Sequence, residues 1–287
     1  MALVGMKSML SVAREQGCAV GAFNVLDYNS LRAVVAAAEE FDAPVIIQTS
    51  VKTVTFWGAA TLAGWVRELA ESTAVPIALH LDHCTSTGVI RMCVEAGWTS
   101  VMIDASALPF EENLATTKEV LAAALPFGVN VEAEMGEISG VEDDIAVAES
   151  RSRLADPDRA AEFCEGLGLT AFAPAIGTAH GIYKGEPVID FGRLQTIAER
   201  TCLPIALHGG TGLSADVFRR CIELGCAKIN ISTAVKHAFI DGFVARHLED
   251  GKYDPLALLG TQFAQVKSSV CEFIELFGSA GLAPKVG

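Results

Sequence analysis

Residues 76–83, PIALHLDH, form a short and mostly apolar segment that ends in an aspartate and a histidine. Its first five letters recur at residues 204–208, PIALH. Strands that are buried on both faces have near-continuous apolar runs of this kind, whereas strands with one face in water alternate apolar and polar residues. The two segments therefore predict parallel strands in a sheet that is covered on both faces.

Similar segments recur along the chain, and each is followed by a polar or glycine-bearing turn and a stretch with helical spacing of apolar residues. The predicted strands are Ala19–Asn24, Val45–Gln48, Ile77–Asp82, Ser100–Ser106, Val129–Glu134, Leu169–Gly177, Ile205–Gly209 and Ala227–Ile231. Eight strand–helix units favour an α/β protein with a single (β/α)8 TIM barrel over residues 1–287 and an additional C-terminal helix. A doubly wound open sheet with extra helices is the alternative.

Capping residues mark several of the intervening helices. Asp156 followed by Pro157 is typical of a helix start, and Ser214 predicts a second start with Gly225 at its end. The segment Gly136–Ala155 differs, because it combines glycines and carboxylates without a sustained apolar period. This segment is either a lid or a plain surface loop.

Charge and composition exclude several classes of protein. The chain has 21 Lys and Arg against 35 Asp and Glu, a net charge of −14, so it lacks the basic surface that binds nucleic acids or anionic membranes. Hydrophobic residues make up 51% of the chain, enough for a sizeable core. No spanning helix or secretory segment is visible in the sequence, so we expect a cytoplasmic protein with no membrane or nucleic-acid partner. The eight cysteines form no CxxC pair and are expected to be buried thiols.

Polar side chains collect where the predicted strands end. In a TIM barrel these ends meet at the C-terminal rim, where the active sites of this fold lie. Three of them, His83, His180 and His208, follow different strands, and three imidazoles with one open position are typical of a catalytic zinc. Taken one at a time, each of these histidines has an alternative interpretation as a hydrogen-bonded core or rim residue that binds no metal. We expect His80 to pack or to support a ligand, and His237 and His247 to lie on the surface.

A glycine-rich turn, GGTGLS at residues 209–214, joins a predicted strand to a predicted helix. Glycines let backbone N–H groups approach an oxyanion, and a helix N-terminus favours negative charge, so the turn is a candidate phosphate site. In TIM barrels a phosphate often lies in the loops after strands seven and eight, and residues 230–233 follow the eighth strand. A tight turn that requires positive φ is the alternative explanation of the glycines.

Ordered motifs then identify a family resemblance. They are AFN at 22–24, HLDH at 80–83, VMIDAS at 101–106, EAEMG at 132–136, EDD at 142–144, GTAHG at 177–181, HGGTG at 208–212, KIN at 228–230 and FGSAG at 277–281. Together they resemble the zinc-dependent class II aldolases, which include the fructose- and tagatose-bisphosphate enzymes. The resemblance covers nearly the whole chain.

The resemblance implies a homodimer or homotetramer of TIM barrels that acts on a small phosphorylated sugar. The implied reaction is reversible aldol cleavage of a ketose 1,6-bisphosphate to dihydroxyacetone phosphate and glyceraldehyde 3-phosphate, in which zinc stabilises the enediolate. A second divalent metal and a monovalent cation are further cofactors that the resemblance admits.

Roles for individual residues also follow from the resemblance. His83, His180 and His208 would bind the catalytic zinc, and Asp104 and Glu134 match positions that hold a second, displaceable metal. Asp82 would carry the C4 hydroxyl proton, and Glu142 would exchange the C3 proton of dihydroxyacetone phosphate. The expected substrate contacts are Asn24, Ser50, Gly181, Lys184, Gly209, Gly210, Thr211, Asn230, Ile231, Ser232 and Thr233.

Some positions depart from the family pattern or do not decide within it. Ser232 stands where several relatives carry Asp or Asn, Lys236 lies near a position where some carry an arginine, and residues 48–52 (QTSVK) are not glycine-rich. The aldehyde half of the substrate is therefore poorly specified, and a phosphorylated deoxyketogluconate is an alternative substrate. A zinc hydrolase leaves the glycine turn unexplained, and a noncatalytic partner subunit leaves the intact polar cluster unexplained.

Overall fold

The computed structural model describes residues 3–142, 145–147, 153–183 and 185–286, with the backbone alone for residues 141, 142, 145–147 and 250. The strands are β1 (Val20–Asn24), β2 (Val45–Ser50), β3 (Ile77–Cys84), β4 (Ser100–Ile103), β5 (Asn130–Met135), β6 (Ser139–Glu142), β7 (Ile145–Val147), β8 (Ala171–Pro174), β9 (Ala179–His180), β10 (Ile205–Leu207) and β11 (Cys226–Ile231). The helices are α1 (Met6–Gln16), α2 (Tyr28–Glu40), α3 (Val51–Trp57), α4 (Ala59–Ser72), α5 (Thr87–Glu95), α6 (Phe110–Ala124), α7 (Pro157–Cys164), α8 (Phe191–Thr201), α9 (Ala215–Glu223), α10 (Thr233–Asp250), α11 (Pro255–Phe277) and α12 (Ala283–Val286).

Parallel strands close into a barrel in the order β1, β2, β3, β4, β5, β8, β10, β11. The closing contact pairs β1 with β11, with Ala22 opposite Asn230. A doubly wound sheet would leave both of these strands as unpaired edges. The predicted TIM barrel is therefore confirmed, and the open-sheet alternative is wrong.

Successive side chains of the strands enter two separate apolar clusters. Phe23, Ile47 and Phe172 belong to the cluster that packs the barrel against its helices. Their neighbours in sequence, such as Ala22 and Ile46, belong to a second cluster that also contains Met6, Met9 and Leu10 of α1. Because strand side chains alternate between faces, the second cluster fills the barrel interior, where α1 closes the end opposite the strand carboxyl ends.

The segment Gly136–Ala155 contains an antiparallel hairpin. Within the described residues, β6 pairs with β7, and Gly140 of β6 pairs with His180 of β9. A Cβ atom on Gly140 would lie 2.2 Å from the carbonyl oxygen of His180, so a larger residue would push the two strands apart. The hairpin is thus attached to the backbone of a predicted metal ligand.

Several details differ from the sequence prediction. The predicted strand Ser100–Ser106 ends at Ile103, because the Asp104 carboxylate accepts a hydrogen bond from the Ser106 backbone N–H (3.2 Å) and turns the chain. Three helices, α10, α11 and α12, follow the last strand, where the sequence predicted one additional C-terminal helix. The long α11 packs on α2 and α9. Cys202, expected to be buried, is exposed at the end of α8, where its φ is 57°. Among the described helices, none is long and apolar enough to cross a membrane.

Candidate active site

Charged and amide side chains occupy the barrel interior above its apolar layer. They come in pairs two residues apart, so that both members face inward. The pairs are His80 and Asp82 on β3, Glu132 and Glu134 on β5, and Lys228 and Asn230 on β11. All six residues are at most 3% exposed. Buried polar groups must be paired, so the hydrogen bonds among these residues determine the geometry of the site.

Three imidazole rings converge at the carboxyl end of the barrel. His83, His180 and His208 each offer a ring nitrogen, and these nitrogens lie within 4.8 Å of one another. The ring centroids are 4.9 Å apart for His83 and His180 and 4.6 Å apart for His83 and His208. The sequence-predicted ligand set therefore converges in one place, as a single metal ion requires.

The backbone of His83 has an unusual conformation, with φ at 43°. Consecutive strand residues normally face opposite sides, which would turn His83 away from Asp82. The left-handed conformation, together with the shifted register of β3 and β4 between Leu81 and Cys84, brings both side chains to the site. A non-glycine residue in this conformation costs energy, and such strain is concentrated at functional sites.

Hydrogen bonds select which nitrogen His83 and His208 present to the cluster. Nδ1 of His83 lies 2.8 Å from Oδ2 of Asp104, and Nε2 of His208 lies 2.9 Å from Oε1 of Glu132. The other nitrogen of His208, Nδ1, lies 3.2 Å from Oε2 of Glu134 without forming a hydrogen bond. Carboxylates that hold one imidazole nitrogen while the other binds metal are typical of metalloenzymes.

The surrounding carboxylates favour positive charge at this point. Burial alone would lower the pKa of His83, but the charge of Asp82 and the hydrogen bond to Asp104 raise it well above its ordinary value. For Asp104, burial is outweighed by the hydrogen bond and charge of His83, which hold its pKa well below the usual range. Burial and the charge of Asp104 raise the pKa of Glu134. A cation among these groups relieves this accumulation of charge.

The described residues fit a divalent metal. The donor set consists of imidazole nitrogens with carboxylates behind them, and both His208 Nδ1 and Glu134 Oε2 are buried without a hydrogen-bond partner. A second possible group, His83, Asp104 and Glu134, also has its ligand atoms within 4.8 Å of one another. An ion bound through His83 Nδ1 in this second group would displace the hydrogen bond to Asp104.

Asp82 is held beside the imidazoles by three amide groups. Asn24 Nδ2 donates to Oδ2 at 2.9 Å, Gln48 Nε2 donates to the same oxygen at 3.3 Å, and Asn230 Nδ2 donates to Oδ1 at 3.0 Å. A second bond from Gln48 Nε2 to Asn24 Oδ1 (2.7 Å) fixes the orientation of the Asn24 amide. The carboxylate of Asp82 therefore has a fixed position within the polar layer.

A small cavity next to His180 is lined by the predicted phosphate loops. Its lining residues are His180, Gly181, Gly209, Gly210, Thr211, Asn230, Ser232 and Thr233. The first turn of the 18-residue helix α10 contributes to the lining. Ser232, at its N-cap, has a buried hydroxyl without a hydrogen-bond partner. Orphan donors and a helix N-terminus make this cavity suited to an anion.

Comparisons with known proteins agree with this geometry. The family model for class-II fructose-bisphosphate aldolase matches residues 4–282. The chain belongs to the class II fructose-bisphosphate aldolase family. It is 40% identical to the fructose-bisphosphate aldolase of Geobacillus stearothermophilus (99% of each chain) and 41% identical to a probable fructose-bisphosphate aldolase of Bacillus subtilis (99% of this chain and all of the relative). The crystal structure of the YdjI aldolase from Escherichia coli superposes with a TM-score of 0.85 at 32% identity, covering 98% of this chain and 99% of that one.

Family membership confirms the resemblance inferred from the ordered motifs. This aldolase is a metal-dependent carbon–carbon lyase that cleaves a ketose bisphosphate. The metal requirement of the family agrees with the cluster of His83, His180 and His208.

Four further predicted site residues of this aldolase differ in what the structure describes of them. Ser50 caps α3, its hydroxyl accepting from the Thr53 backbone N–H at 3.4 Å. The Ile231 side chain packs in the outer apolar cluster, so only its backbone is available to a ligand. Glu142 ends β6, and its side chain lies outside the described atoms. Lys184 lies outside the described residues.

The glycines of the glycine-rich turn are required by its backbone geometry. Gly209 has φ +69°, and a Cβ atom there would lie 2.5 Å from the Ala179 carbonyl oxygen. Gly212 has φ +93°, so the tight-turn explanation applies to both residues. Gly209 and Gly210 also line the anion-suited cavity of the aldolase.

Sequence reasoning missed three residues of the polar layer, namely Gln48, Glu132 and Lys228. Each interrupts an apolar strand, and a charged residue inside a strand buried on both faces requires a partner. Glu132 lies two residues before Glu134, and Lys228 lies two residues before Asn230. Because strand residues two apart face the same side, this spacing was the available signal that both point into the site.

The remaining histidines lie outside the cluster. His80 is buried as expected, with Nδ1 2.7 Å from the Ser100 hydroxyl. Burial and the positive charge of Lys228 hold the pKa of His80 well below its ordinary value. His237 is exposed as expected, and His247 is half-buried against Tyr253.

Proposed function

We propose that this aldolase catalyses zinc-dependent, reversible cleavage of fructose 1,6-bisphosphate to dihydroxyacetone phosphate and glyceraldehyde 3-phosphate. The observation that carries the proposal is the convergence of three imidazole nitrogens within 4.8 Å beside the buried Asp82. Two relatives that are named fructose-bisphosphate aldolases, at 40% and 41% identity, favour the fructose epimer.

Zinc fits the ligand set better than magnesium or calcium, which prefer oxygen ligands. His83, His180 and His208 are the proposed ligands. When bound, zinc supplies a Lewis acid that stabilises the negative charge left on the three-carbon fragment after the carbon–carbon bond breaks. Asp104 and Glu134 are proposed to hold a second divalent metal.

Asp82 is the proposed proton carrier. In cleavage its carboxylate accepts the proton of the C4 hydroxyl, and in condensation it returns that proton to the aldehyde oxygen. Asn24 and Asn230 hold both carboxylate oxygens by amide hydrogen bonds, which orients the carboxylate before substrate arrives. Glu142 is proposed to exchange the C3 proton of dihydroxyacetone phosphate.

The phosphate of the dihydroxyacetone half is proposed to bind in the cavity of the glycine-rich turn and the α10 N-terminus. Backbone N–H groups of Gly209–Thr211 and the hydroxyls of Ser232 and Thr233 are the proposed donors. Because the protein carries a net charge of −14, local donors and the metal must provide the attraction for this anion. Ser50, Gly181 and Lys184 are proposed as further contacts, and a monovalent cation as an activator.

A side-by-side assay tests the reaction and the substrate together. Purified protein is analysed for bound metal and assayed with fructose 1,6-bisphosphate, tagatose 1,6-bisphosphate and a phosphorylated deoxyketogluconate, each with and without a chelator. We expect about one zinc per chain, highest kcat/KM with the fructose substrate, and loss of cleavage on chelation. Chelator-resistant cleavage, or trapping of a lysine adduct by borohydride, would overturn the zinc mechanism.

We also propose that the protein is a homodimer or homotetramer. α10 exposes Ile240 (55%), Val244 (49%) and Leu248 (77%), which are spaced by four residues and share one helix face. Contiguous apolar surface of this kind is typical of protein–protein contacts. Light scattering after size-exclusion chromatography measures the assembly, and a monomer at micromolar concentration would refute the proposal.

A further inference from the structure

Lys228 is a lysine at the centre of the barrel with no solvent exposure. Fully buried lysines are rare unless they are paired. Its ammonium group contacts two side chains from different strands, Glu132 on β5 and Asn230 on its own strand, β11. Each of these partners in turn holds a group of the proposed active site.

The first connection leads to the metal cluster. Lys228 Nζ lies 3.1 Å from Oε1 and 3.0 Å from Oε2 of Glu132, and the same Oε1 lies 2.9 Å from Nε2 of His208. The lysine neutralises a carboxylate that would otherwise be an uncompensated buried charge. It thereby keeps Glu132 in position to hold one nitrogen of His208, which leaves Nδ1 for the metal.

The second connection leads to the proton carrier. Lys228 Nζ donates to Asn230 Oδ1 at 2.7 Å. An ammonium group only donates, so this bond assigns the oxygen of the amide and turns Nδ2 of Asn230 toward Asp82. Nδ2 then donates to Asp82 Oδ1 at 3.0 Å. Without the lysine, the amide loses the contact that fixes its orientation.

We propose that Lys228 is a positioning residue that aligns His208 through Glu132 and Asp82 through Asn230. Its ammonium group contacts Glu132 and Asn230, and it acts through these two side chains. The inference rests on the proposed roles of His208 and Asp82, and it adds that one buried ammonium group orients both the metal ligand and the proton carrier.

A double-mutant cycle separates the two connections. The variants are Lys228→Met, Glu132→Gln and the combination of both, with Lys267→Met as a control that removes a surface pair with Glu40 (2.5 Å). Two quantities are measured for each: zinc retention, by competition with a chelator in the absence of substrate, and kcat at saturating zinc. Thermal unfolding of the metal-free proteins reports folding.

We expect Lys228→Met to weaken zinc retention by about 10- to 100-fold. In the Glu132→Gln background the same change should alter retention by less than about threefold, because the carboxylate charge through which Lys228 holds this side chain is already removed. It should still lower kcat by about 10-fold in that background, through Asn230 and Asp82. The Lys267→Met control should match the wild type in both quantities.

Different results would overturn the inference. Equal losses of zinc in both backgrounds would indicate a general loss of structure, and zinc retention and kcat within twofold of the wild type would show that Lys228 positions neither group. If Lys228→Met fails to fold, Glu132→Gln is compared with the double variant, which carries neither charge. Equal kcat in these two variants would contradict the connection from Lys228 through Asn230 to Asp82. A wild-type protein that retains no zinc would instead refute the proposed function, and the inference with it.

Discussion

The barrel interior and the loop rim of this protein hold their functional groups in different ways. In the interior, Asp82, Glu132 and Lys228 are side chains on strands, at most 1% exposed. Lys228 donates a hydrogen bond to Glu132, and Asp82 accepts one from Asn230. At the rim, the cavity of the glycine-rich turn offers backbone N–H groups and short hydroxyls such as that of Ser232. The proposed proton carrier thus lies on a barrel strand, whereas the proposed anion site is formed by the turn and a helix terminus.

This difference has an energetic reason. Interior groups depend on one another, since a buried charge without its partner costs several kcal/mol, roughly 3–5 kcal/mol for a buried ion pair. Rim groups face a cavity, so each makes a smaller and more independent contribution. We therefore expect large, coupled effects from interior substitutions and small effects from most rim substitutions.

The largest effect is expected from the metal cluster. His180→Ala should abolish cleavage and weaken zinc retention by more than about 100-fold, since a lost ligand exceeds the 10- to 100-fold typical of a lost supporting contact. Metal analysis after dialysis, together with the cleavage assay, measures both. The exposed His237→Ala is the matched control and should behave as wild type. Full zinc content in His180→Ala would remove this ring from the ligand set.

The proton carrier comes next. Asp82→Asn keeps the size of the side chain but cannot take up a proton, so kcat should fall by about 10²- to 10⁴-fold while zinc retention stays near that of the wild type. Steady-state kinetics and metal analysis on the same preparation distinguish this result from loss of the site. A variant with more than a tenth of the wild-type kcat would assign the proton transfer elsewhere.

Gly209 is the rim position where backbone geometry predicts a large effect. Gly209→Ala forces a side chain into a conformation with φ +69° and brings Cβ to 2.5 Å from the Ala179 carbonyl oxygen. The free energy of unfolding should fall by at least about 1–2 kcal/mol, measured by urea denaturation. Gly185→Ala, which has open space and no positive φ, is the control. Equal stability of the two variants would contradict the proposed strain.

The smallest effect is expected at Ser232. Its buried hydroxyl has no hydrogen-bond partner, so Ser232→Ala should leave the free energy of unfolding unchanged within about 0.5 kcal/mol. If the hydroxyl binds the phosphate, KM for the bisphosphate should rise by about 2- to 10-fold with little change in kcat. An unchanged KM would exclude Ser232 from the phosphate site and weaken the contrast between interior and rim.

Local patterns were sufficient to predict the barrel and the convergence of the three histidines. The Asp156 and Ser214 caps are confirmed, because a capping bond involves residues only two or three apart. The histidines could be placed together because carboxyl ends of parallel strands meet at one rim of a barrel. The hairpin of β6 and β7 was not predicted, because its strands are short and β6 is attached through Gly140 to the distant His180.

The sequence by itself determined the alternation of strands and helices, the anionic character of the chain and the polar residues at the strand ends, since each follows from residue type and local spacing. Only the tertiary structure decided that Lys228 meets Glu132 across 96 positions of sequence, and which nitrogen of His208 remains for a metal. These contacts depend on how the closed barrel sets the register of β5, β10 and β11. Register is a property of the whole sheet, and no single strand specifies it alone.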